Sequence, residues 1–254
     1  MDFLKYDFDY AWPWTYGHLI AAVAFAALAL TGRVLRWPNW TTIALLVLAT
    51  WGLSGAAIVH GPLRFSRPLE LPTNAFLDSG SGRVLDAGAG SGRSALMVLQ
   101  SRPRATVVAL DRFEGYYGIV DNTPDRLRAN ARAAGVEARL EAAVGDMRKM
   151  PFEEAVFDAA VSAYAIDHLG REDVERTLAE VARVLRPNGQ FLLMVINQDA
   201  WVRVALPFLY GHGYFGGRSV PDRWHAQLTA AGLAVVEAGT RPATLFFLAE
   251  KGGR

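Results

Sequence analysis

The fold is decided by a glycine-rich stretch that ends a short aliphatic run, Val84-Leu85-Asp86-Ala87-Gly88-Ala89-Gly90-Ser91-Gly92. Glycines let a backbone turn tightly and approach a ligand closely, and a helix that begins after such a turn presents free N–H groups. Residues 91–100, which follow, have the composition of a helix. The stretch therefore predicts a strand, a ligand-binding turn and a helix, in that order.

Short aliphatic runs alternate with helical segments on both sides of this turn, which is typical of a parallel sheet covered on both faces. The sequence predicts strands at 83–86, 106–111, 137–144, 157–165 and 190–196, with further helices at 124–134 and 171–185. After a helix at 221–231, two more strands, at 234–238 and 244–249, are close enough to pair as a hairpin. We therefore predict an α/β Rossmann-like fold with a mixed, mostly parallel sheet of seven strands.

The turn differs from two common nucleotide-binding loops. A P-loop ends in Gly-Lys-Ser/Thr, whereas Gly92 is followed by Arg93 and Ser94. The dinucleotide fingerprint has the spacing G-x-G-x-x-G, whereas the glycines here are spaced G-x-G-x-G, and Asp86 would be badly placed near a pyrophosphate. A carboxylate at this position suits a ligand with an ammonium group, so a dehydrogenase is the weaker interpretation.

On these residues the chain resembles the class I S-adenosylmethionine-dependent methyltransferase superfamily, over about residues 83 to 250. The first motif of that superfamily is matched by Asp86, Gly88, Ala89, Gly90 and Gly92. The resemblance implies the Rossmann-like methyltransferase fold, S-adenosyl-L-methionine as the cofactor, and methyl transfer as the activity.

The same resemblance implies the rest of the cofactor site. Asp111, at the end of the second strand, would accept hydrogen bonds from two ribose hydroxyls, with Arg112 beside it. In Gly145-Asp146-Met147, after the third strand, Asp146 would accept from the adenine amino group and Met147 would pack on the ring. Ser162, in the fourth strand, is also expected to contact the cofactor.

Residues on the acceptor side are expected where the carboxyl ends of the strands meet. Tyr164 and His168 follow strand four and are the predicted catalytic residues, with His168 as a base or a substrate clamp. The alternative for His168 is a residue that caps or packs at the start of a helix. Tyr117, together with Trp201, Phe208 and Tyr214 from an aromatic insert at 201–216, is predicted to bind the acceptor, although the insert also fits a packed surface helix and loop.

The first sixty residues contain two long apolar segments, 10–32 and 40–59, without a formal charge if His18 is neutral. Twenty helical residues reach about 30 Å, which is the thickness of the hydrocarbon core of a bilayer. Trp12, Trp14, Trp37 and Trp40 lie where an interfacial belt would place aromatic side chains. We predict a transmembrane hairpin in residues 1–60, with spans at about 11–32 and 40–59; a signal peptide and a soluble helical hairpin are the alternatives.

Residues 61–82 contain three prolines and end in a small polar stretch, so we predict a linker before a catalytic domain at 83–254. An integral membrane protein with this domain on the cytoplasmic side is expected, because the implied cofactor is held in the cytosol. The expected partners are the lipid bilayer and a lipophilic or membrane-associated acceptor, namely a lipid amine, a quinone or a small lipophilic compound. Methylation of a protein neighbour, and cofactor binding without turnover, remain alternatives.

Charge and cysteine content exclude several other classes of partner and site. The formal net charge of +1 provides no field to attract a polyanion, so nucleic acid is not an expected partner. The absence of cysteine excludes disulfides, thiolate metal sites and a cysteine nucleophile, and no metal site is predicted. The sequence leaves the oligomeric state open.

Overall fold

The computed structural model describes residues 5–114, 118–197, 199–206 and 220–253. After two N-terminal helices, strands and helices alternate through the remaining chain. The elements are α1 (Trp12–Val34), α2 (Asn39–His60), β1 (Ser81–Ala87), α3 (Arg93–Ser101), β2 (Arg104–Asp111), α4 (Pro124–Ala133), β3 (Leu140–Val144), β4 (Phe157–Ala163), α5 (Arg171–Val184), β5 (Leu185–Ile196), α6 (Ala200–Ala205), α7 (Val220–Ala230), β6 (Leu233–Arg241) and β7 (Thr244–Lys251).

The seven strands form one sheet in the order β3-β2-β1-β4-β5-β7-β6. Strands β1 to β5 pair in parallel, whereas β7 pairs antiparallel with both β5 and β6. Apolar side chains of α3 and α4 cover one face of the sheet, and those of α5 and α7 cover the other. The predicted Rossmann-like fold with a mixed, mostly parallel seven-stranded sheet is confirmed.

The strand order reverses at β1, which has β2 on one side and β4 on the other. The chain leads from β1 to β2 on one side and from β4 to β5 on the other, so a crevice opens outside the carboxyl ends of β1 and β4. The turn after β1 and the turn after β4 both border this crevice. The topology therefore brings the two predicted halves of the site, for cofactor and acceptor, to one edge of the sheet.

Helices α1 and α2 form an antiparallel pair, and both are long and apolar enough to cross a membrane. A Cβ atom on Gly52 would lie 2.7 Å from the carbonyl oxygen of His18 and 2.9 Å from the backbone nitrogen of Ala22. The missing side chain therefore permits the close approach of the two helices. Large apolar side chains point outward from the pair, among them Leu30, Val34, Trp40, Ile43 and Val47.

The connection from α2 to β1 is packed rather than a free tether. It contains no helix or strand before Ser81, as expected of a linker, but Leu69, Phe76 and Leu77 are buried in the core beside α3. Arg102, just after α3, donates hydrogen bonds to the carbonyl oxygens of Phe76 and Asn74. Part of the predicted linker, the segment 69–77, therefore packs on the catalytic domain, because its apolar side chains complete the core; the domain boundaries at 61–82 and 83–254 stay a prediction.

Helix α6 packs against the domain-proximal half of α2. The indole nitrogen of Trp51 donates to the carbonyl oxygen of Val204 at 2.8 Å, and Nε2 of His18 lies 2.9 Å from the carbonyl oxygen of Ala205. The side chains at this junction form an apolar cluster, here called the junction cluster: Ile58, Val59, Leu63, Ile196, Val202, Ala205, Leu206 and Ala243, with Phe65 and Tyr164 packed against it.

Candidate active site

The glycine turn after β1 is held against the ends of two neighbouring strands. The backbone N–H groups of Gly88 and Ala89 donate to the carbonyl oxygen of Leu110, at 2.9 and 3.1 Å. Gly88 has a φ of +80°, and a Cβ atom there would lie 2.5 Å from the Cβ of Ala165, in the turn after β4. Any side chain at Gly88 would therefore separate the two turns that border the crevice.

Asp86 is fully buried at the end of β1. Its two carboxylate oxygens accept hydrogen bonds from Oγ of Ser94, at 2.9 and 2.7 Å, in the first turn of α3. Burial raises the pKa of Asp86 to about 7; the hydrogen bond from Ser94 lowers it, and the nearby charge of Asp111 raises it further. A cationic group bound next to Asp86 would stabilise the ionised carboxylate against both burial and the charge of Asp111, as expected for a ligand that carries an ammonium.

Asp111 ends β2 with both carboxylate oxygens engaged. Oδ2 accepts from the backbone N–H of Gly90 at 2.8 Å, and Oδ1 accepts from the backbone N–H of Phe113 at 2.8 Å. The side-chain Nδ2 of Asn122 donates to Oδ1 at 3.0 Å. The carboxylate therefore joins the glycine turn to the segment that leads into α4.

Asn122 is a candidate site residue that the sequence alone did not indicate. Its Oδ1 is buried and makes no hydrogen bond within the described part of the chain. Helix α4 fixes its position, because Thr123 caps that helix by accepting from the backbone N–H of Arg126. A buried acceptor without a donor, beside Asp111, suits a ligand hydroxyl. Nothing in the sequence around Asn122 separates it from an ordinary residue before a helix cap.

Two residues expected in the cofactor site have other partners. Oγ of Ser162 is buried and donates to the carbonyl oxygen of Ala87 at 2.7 Å, so it supports the end of β1. Arg112 forms an exposed ion pair with Glu114. Their contact with a cofactor stays a prediction, and the contacts seen are those of a supporting and a surface residue.

The segment after β3 lies next to the glycine turn. Met147 Sδ is 3.5 Å from the position of a Cβ on Gly88, and the N–H of Gly145 donates to the carbonyl oxygen of Asp111. The guanidinium of Arg148 binds both oxygens of Asp146 at 2.6 to 3.0 Å, which lowers the pKa of Asp146. Met147 thus lies beside the glycine turn, and its contact with adenine stays a prediction, as does that of Asp146, which already has a strong donor.

The turn after β4 contains both predicted catalytic residues. Tyr164 has a φ of +54°, and its hydroxyl lies 2.5 Å from Oγ1 of Thr244, the first residue of β7. Burial raises the pKa of Tyr164 to about 12. His168 ends a short 3-10 helix, Ile166–His168, and its side chain is partly exposed. The structure brings the two residues to one edge of the sheet, and it keeps the hydroxyl of Tyr164 protonated at neutral pH.

The predicted acceptor-binding residues are only partly covered by the structure. Trp201, in α6, donates from its indole nitrogen to Oγ of Ser54 in α2 and leaves 43% of its surface exposed. It therefore joins the catalytic domain to the helical hairpin. Tyr117, Phe208 and Tyr214 lie outside the described residues, and their role stays a prediction.

Comparisons with known proteins agree with this geometry. A family model described as a methyltransferase domain matches residues 84–189. The demethylmenaquinone methyltransferase of Thermus thermophilus is 32% identical over 183 residues, which cover 63% of this chain and 77% of that protein. The chain belongs to the class I S-adenosylmethionine-dependent methyltransferases. The predicted methyl donor of this methyltransferase, S-adenosylmethionine, is thereby confirmed.

Other relatives match a shorter part of this methyltransferase. The ubiquinone/menaquinone biosynthesis C-methyltransferase UbiE of Dinoroseobacter shibae is 34% identical over 116 residues, 46% of this chain and 43% of that protein. The geranyl diphosphate C-methyltransferase of Streptomyces coelicolor, solved with S-adenosyl-L-homocysteine, has the same fold, with a TM-score of 0.52 and 12% identity over 68% of this chain and 71% of that one. The chain spans about half the length, or less, of most of the curated relatives it matches.

The residues present in this methyltransferase fit S-adenosylmethionine. The buried carboxyl of Asp86 suits the ammonium of the methionine part, and Asp111 with the unpaired oxygen of Asn122 suits the ribose hydroxyls. The absent side chain at Gly90, whose Cβ would lie 3.0 Å from Cδ1 of Ile119, leaves the backbone open to a ligand. These residues would hold the donor in the crevice bordered by the turns after β1 and β4.

Proposed function

We propose that this methyltransferase is held at a membrane by α1 and α2 and methylates a lipophilic acceptor, a hydroxylated ring of the quinone type. The observation that carries the proposal is the junction cluster, in which the end of the hairpin meets the acceptor side of the catalytic domain. Ile58 and Val59 of α2 pack there with Ile196, the last residue of β5. The site and the predicted membrane segment therefore share one apolar wall.

The position of this wall favours an apolar acceptor. Ile196 ends β5 and Tyr164 follows β4, so both lie at the carboxyl ends of parallel strands, which is the edge where the glycine turn lies. An acceptor that reaches the methyl group from this side would contact aliphatic and aromatic side chains. The names of two relatives, a demethylmenaquinone methyltransferase and a ubiquinone/menaquinone C-methyltransferase, support a ring with a long apolar tail.

S-adenosylmethionine, when bound, supplies a methyl group that its sulfonium charge has already activated. The chain's own residues then act mainly by holding and orienting, which can provide much of the rate acceleration. Asp86, Asp111 and Asn122 fix one side of the crevice. Tyr164, which stays protonated at neutral pH, provides a hydrogen-bonding wall on the acceptor side and does not act as the base.

The contact between α6 and α2 supports an acceptor side that lies at the depth of the lipid. Trp51, which binds the backbone of Val204, lies nine residues before His60, or roughly 13 Å along α2. If α2 crosses the bilayer with His60 at the membrane surface, α6 lies about as deep as Trp51, within the hydrocarbon of the leaflet on the domain side, where the exposed Trp201 and Val204 would contact lipid. We infer that the domain faces the cytoplasm, because the methyl donor is held there.

The test uses the full chain, purified in detergent and placed in lipid nanodiscs, with S-adenosylmethionine that carries a tritiated methyl group. Three acceptors are compared: reduced demethylmenaquinone, the same ring without its tail, and phosphatidylethanolamine. We expect label in the quinol, at least tenfold less in the tailless ring, and none in the lipid amine. Label in the lipid alone, or transfer only to proteins of a membrane extract, would overturn the acceptor class.

Membrane attachment is tested separately. The full chain is expected to sediment with membranes and to resist carbonate and high salt, because charge screening cannot release buried apolar helices. Release by salt alone would show that α1 and α2 form a soluble pair or lie on the membrane surface. A transfer assay with this soluble form would then show whether the acceptor class holds without the membrane.

A further inference from the structure

The proposed acceptor side contains a buried carboxyl that the sequence alone did not indicate. Asp167, in the 3-10 helix after β4, exposes only 1% of its surface. Its Oδ2 accepts from the backbone N–H of Ile196, at the end of β5, at 3.2 Å. Its Oδ1 is enclosed and has no hydrogen-bond partner among the residues that the structure describes. An unpaired buried acceptor is costly, so the position suits a ligand donor.

The location of Asp167 links it to the methyl donor. Ala165, two residues earlier, lies against the glycine turn, with its Cβ 2.5 Å from the Cβ position on Gly88. Ile196, which binds the other oxygen of Asp167, belongs to the junction cluster. The carboxyl is therefore held between the turn that carries the donor and the apolar wall proposed for the acceptor.

The surrounding charges leave this carboxyl ready to take a proton. Burial raises the pKa of Asp167, and the positive charge of His168 lowers it to a smaller extent. The charge of Asp167 also raises the pKa of Tyr164, in the same turn. The charge of Arg93, in α3, lowers the pKa of Tyr164, and Tyr10 raises it. A carboxyl with a raised pKa is matched to proton transfer nearer to neutral pH than an exposed aspartate.

We propose that Asp167, through Oδ1, is the catalytic base that takes the hydroxyl proton of the ring acceptor. The inference rests on the proposed function. As the proton passes to Oδ1, the ring carbon next to the hydroxyl-bearing carbon forms a bond to the methyl carbon. The bond from that methyl to sulfur breaks, and its electron pair stays on sulfur. The methylated ring then loses its C–H proton to water, and Asp167 returns its proton to the ring oxygen.

The test compares Asp167→Asn with the wild type and with two controls. Asparagine keeps an oxygen for the N–H of Ile196 but cannot take a proton. Asp125→Asn, on the exposed surface of α4, controls for the charge change, and His168→Gln tests the neighbouring base candidate. Single-turnover transfer to reduced demethylmenaquinone is measured from pH 6 to 10, together with the affinity for S-adenosylmethionine.

We expect Asp167→Asn to bind S-adenosylmethionine normally and to transfer about 10²–10⁴-fold more slowly at pH 7. The deficit should shrink at high pH, where the ring hydroxyl ionises without help. A change of less than threefold would overturn the proposal, and so would a deficit that stays constant with pH, because that pattern indicates a structural role. A His168→Gln variant with the larger, pH-dependent deficit would assign the base to His168 instead.

A binding measurement provides a readout that does not depend on turnover. The full chain with S-adenosyl-L-homocysteine is titrated with 1-naphthol and with its methyl ether. We expect the wild type to prefer the naphthol at least tenfold, and Asp167→Asn to lose this preference. Wild-type protein that binds both ligands equally would overturn the role of Asp167 alone. Protein that binds and methylates no ring at all would overturn the proposed function, and this proposal with it.

Discussion

Tyr10 forms an isolated antiparallel bridge with Ile119, so the residues before the first apolar helix pair with the segment that leads into α4. The N–H of Ala11 donates to the carbonyl oxygen of Gly118 at 2.7 Å, and the N–H of Val120 donates to that of Asp9 at 2.9 Å. Ile119 is the residue nearest to a Cβ on Gly90. The N-terminal segment is therefore part of the wall of the candidate cofactor site.

This relationship predicts which shortened chains fold. A chain that begins at Pro72 lacks Phe8 and Leu69, two side chains buried in the core of the catalytic domain. Burying a large apolar side chain contributes about 1.5–3 kcal/mol, so their loss removes a large part of a typical stability. We expect this chain to be insoluble, or to melt at least 10 °C below the next variant by circular dichroism.

The matched variant keeps residues 5–11 and 61–254 and replaces only 12–60 with a short Gly-Ser linker. The rings of Tyr10 and Phe65 lie 4.3 Å apart, so a few residues can join the two pieces. We expect it to be soluble and to bind S-adenosylmethionine with the affinity of the full chain. Equal stability of the two shortened chains would show that the N-terminal segment contributes nothing to the fold.

Gly90→Val is expected to abolish binding of S-adenosylmethionine. Gly90 has a φ of +53°, and a branched side chain would enter the space between the backbone and Ile119. Gly135→Val is the control, because Gly135 has a φ of +73° and faces open space after α4. Both variants should lose stability through backbone strain, of about 1–3 kcal/mol. Calorimetry that finds cofactor binding unchanged in Gly90→Val would mean that the loop does not approach the ligand.

Asp111→Ala is expected to weaken cofactor binding by on the order of 1.5–3 kcal/mol, through loss of charge-assisted hydrogen bonds to the ribose. Asn122→Ala should cost less, since a neutral acceptor is lost. Because Nδ2 of Asn122 donates to Asp111, the double variant should lose less than the sum of the two single changes. Dissociation constants from calorimetry measure all three.

Asp125→Ala, at an exposed position of α4, is the control and should bind normally. A change of less than about tenfold in the dissociation constant of Asp111→Ala would argue against its ribose role. Strict additivity of the two site variants would show that Asn122 acts independently of Asp111, in contrast to their contact in the structure.

The sequence alone predicts the elements that are encoded by residues close to one another in the chain. The glycine turn, the alternation of strands and helices, and the two apolar helices follow from spacing and composition within windows of about twenty residues. Phe8, Asn122 and Asp167 were missed because their roles depend on contacts between distant segments. The backbone of Asp7, for example, binds the side chain of Asn130, 123 positions away. Ser162 was placed correctly in β4, but the partner of its hydroxyl depends on the strand order.

The buried Asp86 predicts opposite effects of one substitution on stability and on binding. The pKa of Asp86 is about 7 in the folded protein and about 3.8 when exposed, so folding favours its protonated form. Its contribution to stability is therefore retained below pH 4 and lost as the pH rises toward 7. At about 1.4 kcal/mol for each pKa unit, the full loss is on the order of 4 kcal/mol.

Asp86→Asn removes this ionisation, so the variant without cofactor should melt above the wild type at pH 8 and close to it at pH 4. Binding should show the reverse, because an amide cannot neutralise the ammonium of S-adenosylmethionine. We expect affinity at pH 8 to fall at least tenfold, and the wild type alone to bind more weakly as the pH drops below 7. Thermal melts and calorimetry at both pH values measure this. A variant that is less stable at pH 8 would show that the carboxylate is stabilised in the fold without any ligand.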